Sequence, residues 1–142
     1  MLMPEDFERK INSVGKAIEN TKIYIISAEG KRARIDEEGE IVHQGEGVMM
    51  GYLNDSDATQ EKIRKLPFDI NNRAVFTGDI GKMDVEGYLY IVGRNDSMLK
   101  IHGNRFYPAE IENVLAQHAE IRESVVIGLQ NKSAEDQMVL EV

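Results

Sequence analysis

Short runs of β-branched and aromatic residues alternate with polar, turn-forming stretches through residues 1–92. Lys22-Ile23-Tyr24-Ile25-Ile26 and Glu40-Ile41-Val42-His43, with the turn signal Glu37-Glu38-Gly39 before the second run, are predicted strands. Asp55, Ser56 and Asp57 offer capping oxygens ahead of residues 58–65, Asp57 and Gln60 are spaced as a capping box, and Leu66-Pro67 closes the run. The expectation there is one short, mostly exposed helix. Ala74-Val75-Phe76 predicts another strand, and residues 80–83 and 88–92 predict a hairpin turned by Asp84-Val85-Glu86-Gly87. Beyond a joint at 93–107, Pro108 fits the first helical position, Glu110 and Glu112 suit the positive helix N-terminus, and Ile111, Val114, Leu115 and His118 mark one face. Residues 124–129 contain Val125-Val126-Ile127, a buried type of strand, and 137–142 begin another that runs to the last residue. The pattern predicts an α+β fold, β-rich first and helix-bearing afterwards, in a chain cut from a longer protein.

Composition narrows the function classes. The 142 residues are 42% hydrophobic and 30% charged, a normal balance for a soluble globular protein. A net charge of -8 argues against nucleic-acid or anionic-membrane surfaces, so any anionic ligand needs a local basic site. There is no cysteine, hence no disulfide framework, thiolate metal site or thiol nucleophile. No apolar run approaches the roughly 20 residues that span a bilayer, and the first seven residues resemble no targeting peptide. The expected compartment is the cytoplasm.

Candidate chemistry gathers between residues 77 and 112. Asp79, after Thr77-Gly78, is a strand-end carboxylate able to accept bonds from two vicinal hydroxyls, or a turn residue bonding its own backbone. Arg94 carries a permanently charged fork suited to ribose or phosphate oxygens, or to a surface ion pair with Asp96 or Glu86. Lys100 reads alone as a solvated cation, and Gly103 as a turn residue. Glu110 and Glu112 read as helix-start charges. Gly45 to Gly51 is one residue too long for a dinucleotide loop, and no glycine-started helix follows it. His43, His102 and His118 lack metal-site spacing, so no metal site is expected, and no serine sits in a nucleophile elbow.

The run Gly93-Arg94-Asn95-Asp96-Ser97-Met98-Leu99-Lys100-Ile101-His102-Gly103-Asn104-Arg105-Phe106-Tyr107-Pro108, with Thr77-Gly78-Asp79 upstream, resembles the junction of large and small domains in AMP-forming adenylating enzymes: acyl-CoA synthetases, luciferases and peptide-synthetase adenylation domains. Ser13-Val14-Gly15-Lys16-Ala17-Ile18, Gly39-Glu40-Ile41 and Gly47-Val48-Met49-Met50-Gly51-Tyr52 resemble earlier landmarks of the same family. The resemblance implies a β-rich, distorted-barrel end of the large domain over 1–93, then a hinge and a truncated small α/β domain over 94–142. It implies that Asp79 and Arg94 hold the ribose of ATP or acyl-AMP, that Arg105 lies near the phosphates, and that Asp96 is the pivot. Lys100 is implied as the catalytic lysine of the second half-reaction, and Gly103 as the glycine beside the pantetheine tunnel. The implied cofactors are ATP or AMP, Mg2+, and CoA or a carrier protein's pantetheine. The implied partners are a carboxylic acid, an acyl or peptidyl carrier protein and the remainder of both domains. The phosphate loop, the acyl pocket and the late lysine have no counterpart in these residues, so the chain alone is expected to be nearly inactive. The competing expectation is a non-catalytic module that binds a carrier protein or partner subunit. Unpaired strand edges add the expectation of self-association.

Overall fold

A computed structural model describes residues 1–101, 104–129 and 137–141. The chain divides into two compact units, Met1–Ile91 and Val92–Val142. The strands in chain order are β1 (Ser13–Gly15), β2 (Thr21–Ile26), β3 (Gly39–Gly45), β4 (Ile63–Leu66), β5 (Asp69–Met83), β6 (Leu89–Arg94), β7 (Leu99–Ile101), β8 (Asn104–Phe106), β9 (Val125–Leu129) and β10 (Gln137–Glu141), with helices α1 (Ser56–Lys62) and α2 (Pro108–Leu115).

The first unit is built on one sheet in the order β1-β6-β5-β3-β2, with β4 paired to β5 off that path. Among the described residues no ladder joins β1 to β2, so the barrel-like expectation resolves into an open sheet. Strands β2 and β3 pair in an antiparallel register that sets Tyr24 opposite Val42 and Ile25 opposite Ile41. Consecutive residues Ile25 and Ile26 are both buried, as are Ile41 and Val42, so these strands are covered on both faces. Ile26, Val42, Leu66, Ala74 and Phe76 form the core, against which Tyr24 packs. Val42 and Leu66 are wholly buried, a contribution of about 1.5–3 kcal/mol each.

The predicted helix over 58–65 is corrected in its bounds, and of the three capping residues offered it is Asp55, not Asp57, that serves. Asp55 is the N-cap, its Oδ1 accepting from the Ala58 amide at 2.9 Å, and α1 ends at Lys62. Residues 63–66 form β4 instead, pairing Ile63 with Val75 and Arg64 with Ala74. This arrangement drives Leu66 into the core, a gain that outweighs the small helix preference of Arg64 and Lys65. The strand segments read separately at 74–76 and 80–83 belong to one long strand, β5, and β1 was not anticipated from its three residues.

In the second unit β7 and β8 form one antiparallel pair, and β9 and β10 another. Helix α2 begins at Pro108 as expected, with the Glu110 carboxylate accepting from the Tyr107 amide at 3.2 Å. The Glu112 carboxylate accepts from the Val126 amide at 3.0 Å, tying the helix to β9. Of the expected helix face, Ile111 and Leu115 are half-buried, whereas Val114 and His118 are exposed. In β9 only the middle valine of Val125-Val126-Ile127 is buried, so the run alternates rather than being covered on both faces.

The hairpin between β5 and β6 anchors the segment before β1. Asp84 Oδ1 accepts from the Glu86 and Tyr88 amides, each at 2.9 Å, closing the turn. Lys10 Nζ lies 2.7 Å from Asp84 and 2.6 Å from Glu86, while Arg9 bridges Glu86 and Asp6 at 2.6 and 2.7 Å. Burial pushes the Asp84 carboxyl up, but Lys10 and the two amides outweigh it and hold it at about 2, below its ordinary 3.8. A carboxyl depressed on folding stabilises the fold fully above the unfolded value and loses that contribution as pH falls through the folded one. In acid unfolding followed by circular dichroism, Asp84→Asn is therefore less stable than wild type at pH 7, and the gap narrows from pH 4 toward pH 2. A gap that stays constant over that range would show that the carboxylate charge is not what matters.

Candidate nucleotide site and hinge

Between Phe76 and Ile80 the strand β5 departs from its ladder with β3. Val42 is opposite Phe76 and Glu40 is opposite Ile80, so two residues on β3 span the distance of four on β5. The excess is taken up at Thr77-Gly78-Asp79, a bulge. Gly78 there has φ +80°, a conformation open to glycine and costly for a side chain. Three hydrogen bonds hold it: Thr77 Oγ1 donates to the Ile41 carbonyl at 2.9 Å, the Asp79 amide donates to Thr77 Oγ1 at 3.0 Å, and the Gly78 amide donates to Glu40 Oε1 at 3.0 Å. Side chains thus replace the ladder bonds that the bulge removes. The Asp79 side chain emerges half-buried from a backbone tied on both sides. Glu40, which forms one of these ties, lies 38 residues before Gly78; it falls in the Gly39-Glu40-Ile41 landmark, but the sequence assigned it no role at the site.

The second unit carries the remaining candidate residues. Arg94 ends β6, and Asn95–Ser97 make a single 3-10 turn that holds Asp96. Arg94 Nε and Nη2 donate to the two oxygens of Asp96 at 3.0 and 3.1 Å, a fork-to-carboxylate pair that is the surface pairing weighed for Arg94. That guanidinium chiefly, and the Ser97 hydroxyl less, hold the Asp96 carboxyl below its ordinary range. Both side chains are more than half exposed, so the pair is weak and exchangeable. Lys100 in β7 and Arg105 in β8 are register partners, two cationic residue types at directly opposed positions. Gly103 lies outside the described residues.

Gly93 sets the start of this region. A Cβ added there would stand 2.8 Å from Tyr107 Cβ and 3.0 Å from its ring, so the bare backbone is what lets the buried Tyr107 close against β6.

Among the described residues no three His, Asp or Glu side chains gather to hold a metal ion, and no helix is long and apolar enough to cross a membrane. Two concavities of the first unit, about 480 and 410 Å³, are lined by neither Thr77 nor Asp79.

A model of the family described as AMP-binding enzyme matches residues 1–53. The chain is 37% identical to 2-succinylbenzoate–CoA ligase of Geobacillus kaustophilus over 132 residues, covering 93% of itself and 25% of that protein. It is 33% identical to gramicidin S synthase 2 of Brevibacillus brevis over 134 residues, covering 94% of itself and 3% of that protein. Its structure superposes with TM-score 0.82 and 31% identity on o-succinylbenzoate CoA synthetase of Bacillus subtilis bound to its acyl-adenylate intermediate, over 99% of this chain and 28% of the other. The chain belongs to the AMP-forming adenylating enzyme superfamily. It corresponds to a segment about a quarter the length of the CoA-ligase relative. Within this superfamily the matched relatives include both CoA ligases and peptide synthetases.

Gly93→Ala forces Tyr107 or β6 to shift, and we expect it to destabilise the second unit by about 1–3 kcal/mol. Hydrogen exchange at the β9 amides reads that loss, and unchanged protection would show that the contact relaxes freely.

Proposed function

We propose that this segment supplies the ribose-binding strand and the hinge of a cytoplasmic, AMP-forming acid–thiol ligase, with the domain boundary at Gly93. The observation that carries the reading is the tied bulge that presents Asp79. A carboxylate carried on a backbone held this firmly needs less ordering to accept bonds from both vicinal ribose hydroxyls, which favours binding. In the first step an acid's carboxylate oxygen bonds to the α-phosphorus of ATP and pyrophosphate leaves, forming acyl-AMP. In the second a thiol sulfur bonds to the acyl carbon and AMP leaves with the electron pair of the broken acyl–oxygen bond. In this reading, which the resemblance supplies, Asp79 and Arg94 each bind the nucleotide in both steps.

Asp96 is the pivot between the two steps. Lys100 meets the acyl-adenylate oxygens in the second, Arg105 lies near the phosphates, and Gly103 leaves room for the pantetheine arm. A solved relative holds ATP with magnesium, and in the intact protein Mg2+ would be held by the nucleotide's phosphates with residues outside this segment; no step here is routed through it. The acceptor is CoA or a carrier protein's pantetheine, since relatives of both kinds match.

The test uses the full-length protein that carries this segment, assayed for ATP–pyrophosphate exchange across a panel of carboxylic acids and for thioester formation with CoA or carrier protein. Asp79→Ala is expected to raise the KM for ATP roughly ten- to hundredfold, from the loss of charge-assisted hydrogen bonds, and to slow both half-reactions. An unchanged ATP dependence would sink the ribose role.

A further inference from the structure

Glu40 stands on β3, a different strand from Asp79, yet its Oε1 is the acceptor for the amide of Gly78, the positive-φ residue just before Asp79. Its second oxygen lies 3.9 Å from Arg64 Nη2, and the Arg64 guanidinium lies 3.7 Å from the centre of the Phe76 ring. Arg64 on β4, Phe76 at the edge of the bulge and Glu40 on β3 therefore form a short chain of contacts ending at the Gly78 amide. The Glu40 side chain is three-quarters buried, so that amide has little water to fall back on. We infer that Glu40 is a positioning residue for the nucleotide: by holding the Gly78 amide it fixes the Thr77–Gly78 peptide plane of the bulge, next to the Gly78–Asp79 plane that Thr77 Oγ1 holds, and so the backbone direction from which the Asp79 carboxylate reaches the ribose hydroxyls. This inference rests on the ribose role proposed for Asp79.

The chemistry makes a distinct claim about what Glu40 supplies. It does not touch the nucleotide. It provides an oxygen acceptor at one place, and its negative charge is secondary, because its ionic neighbour Arg64 stands at 3.9 Å and is half exposed. A backbone amide donates as well to a glutamine side-chain oxygen as to a carboxylate of the same reach, with a modest loss of strength. Glutamine at position 40 is thus expected to serve, and alanine or leucine is not.

The experiment measures kcat and KM of the full-length protein with ATP, 2′-deoxyATP and 3′-deoxyATP in pyrophosphate exchange. Glu40→Ala is expected to raise the KM for ATP about tenfold with kcat nearly unchanged, and to shrink the preference for ATP over both deoxy analogues by a similar factor. Glu40→Gln should restore both within about twofold. Glu40→Leu fills the same space without an oxygen and serves where the alanine variant does not fold; it should behave as alanine does. In an Asp79→Ala background, Glu40→Ala should change the preference no further, because its effect runs through the missing carboxylate.

Two outcomes overturn the inference: Glu40→Ala or Glu40→Leu keeping the wild-type preference while Asp79→Ala loses it, or a further loss in the double variant. Glu40→Gln as impaired as alanine would overturn the acceptor role. Asp79→Ala keeping the wild-type preference is a different failure, that of the ribose reading itself.

Discussion

Strand β5 has one long edge against β3 and two successive partners on the other, and the structure of the first unit follows from how it changes between them. Over its first half Ala74 and Val75 are paired on both sides, with Arg64 and Ile63 of β4 and with Gln44 and His43 of β3. Over its second half β6, returning through the 84–87 turn, takes the place of β4. A strand that switches partners leaves backbone groups without a ladder at the crossing, and a buried amide left so costs about 1–3 kcal/mol. The bulge at Thr77-Gly78-Asp79 falls between the two regimes, and the Thr77 hydroxyl and the Glu40 carboxylate fill the missing bonds. The core cannot slip to erase it. A shift of one residue would turn Phe76 away from Val42, a side chain with no exposed surface.

Much of this was legible along the chain and some of it was not, for separable reasons. The runs at 22–26 and 40–43 could be read as strands because β-branched density and a neighbouring turn signal agree, and the structure extends each by a few residues only. Asp84 to Gly87 could be read as a turn because Asp and Gly each have a local reason to be there, and the Asp84 carboxylate does bond its own turn amides. Residues 63–66 could not be read correctly, since Ile63-Arg64-Lys65-Leu66 continues a helix as plausibly as it begins a strand. Only the waiting edge of β5 decides, and that edge is distant in sequence. The site divides the same way. Asp79, Arg94 and Asp96 stand out through the resemblance their neighbours carry, and the pairing of Arg94 with Asp96 is local enough to weigh in advance. Glu40 lies in the Gly39-Glu40-Ile41 landmark, yet its tie to Gly78 could not be read, because it exists only once β3 lies against β5.

The two regions differ in how firmly they hold their charged groups, and the difference suits what each is asked to do. At the bulge every tie is a hydrogen bond to a backbone group at 2.9 or 3.0 Å, made by half-buried side chains, so the backbone that carries Asp79 is held in place. At the hinge the Arg94–Asp96 pair lies open to water, where an ion pair is worth about 0–1 kcal/mol and its partners exchange readily. A rigid grip that also had to turn would resist the turn, and a pivot held by buried bonds would not move on the timescale of a catalytic cycle. Firm bonding around Asp79 and loose bonding at Asp96 are thus the opposite properties that the roles proposed for them, a fixed nucleotide contact and a pivot, would require.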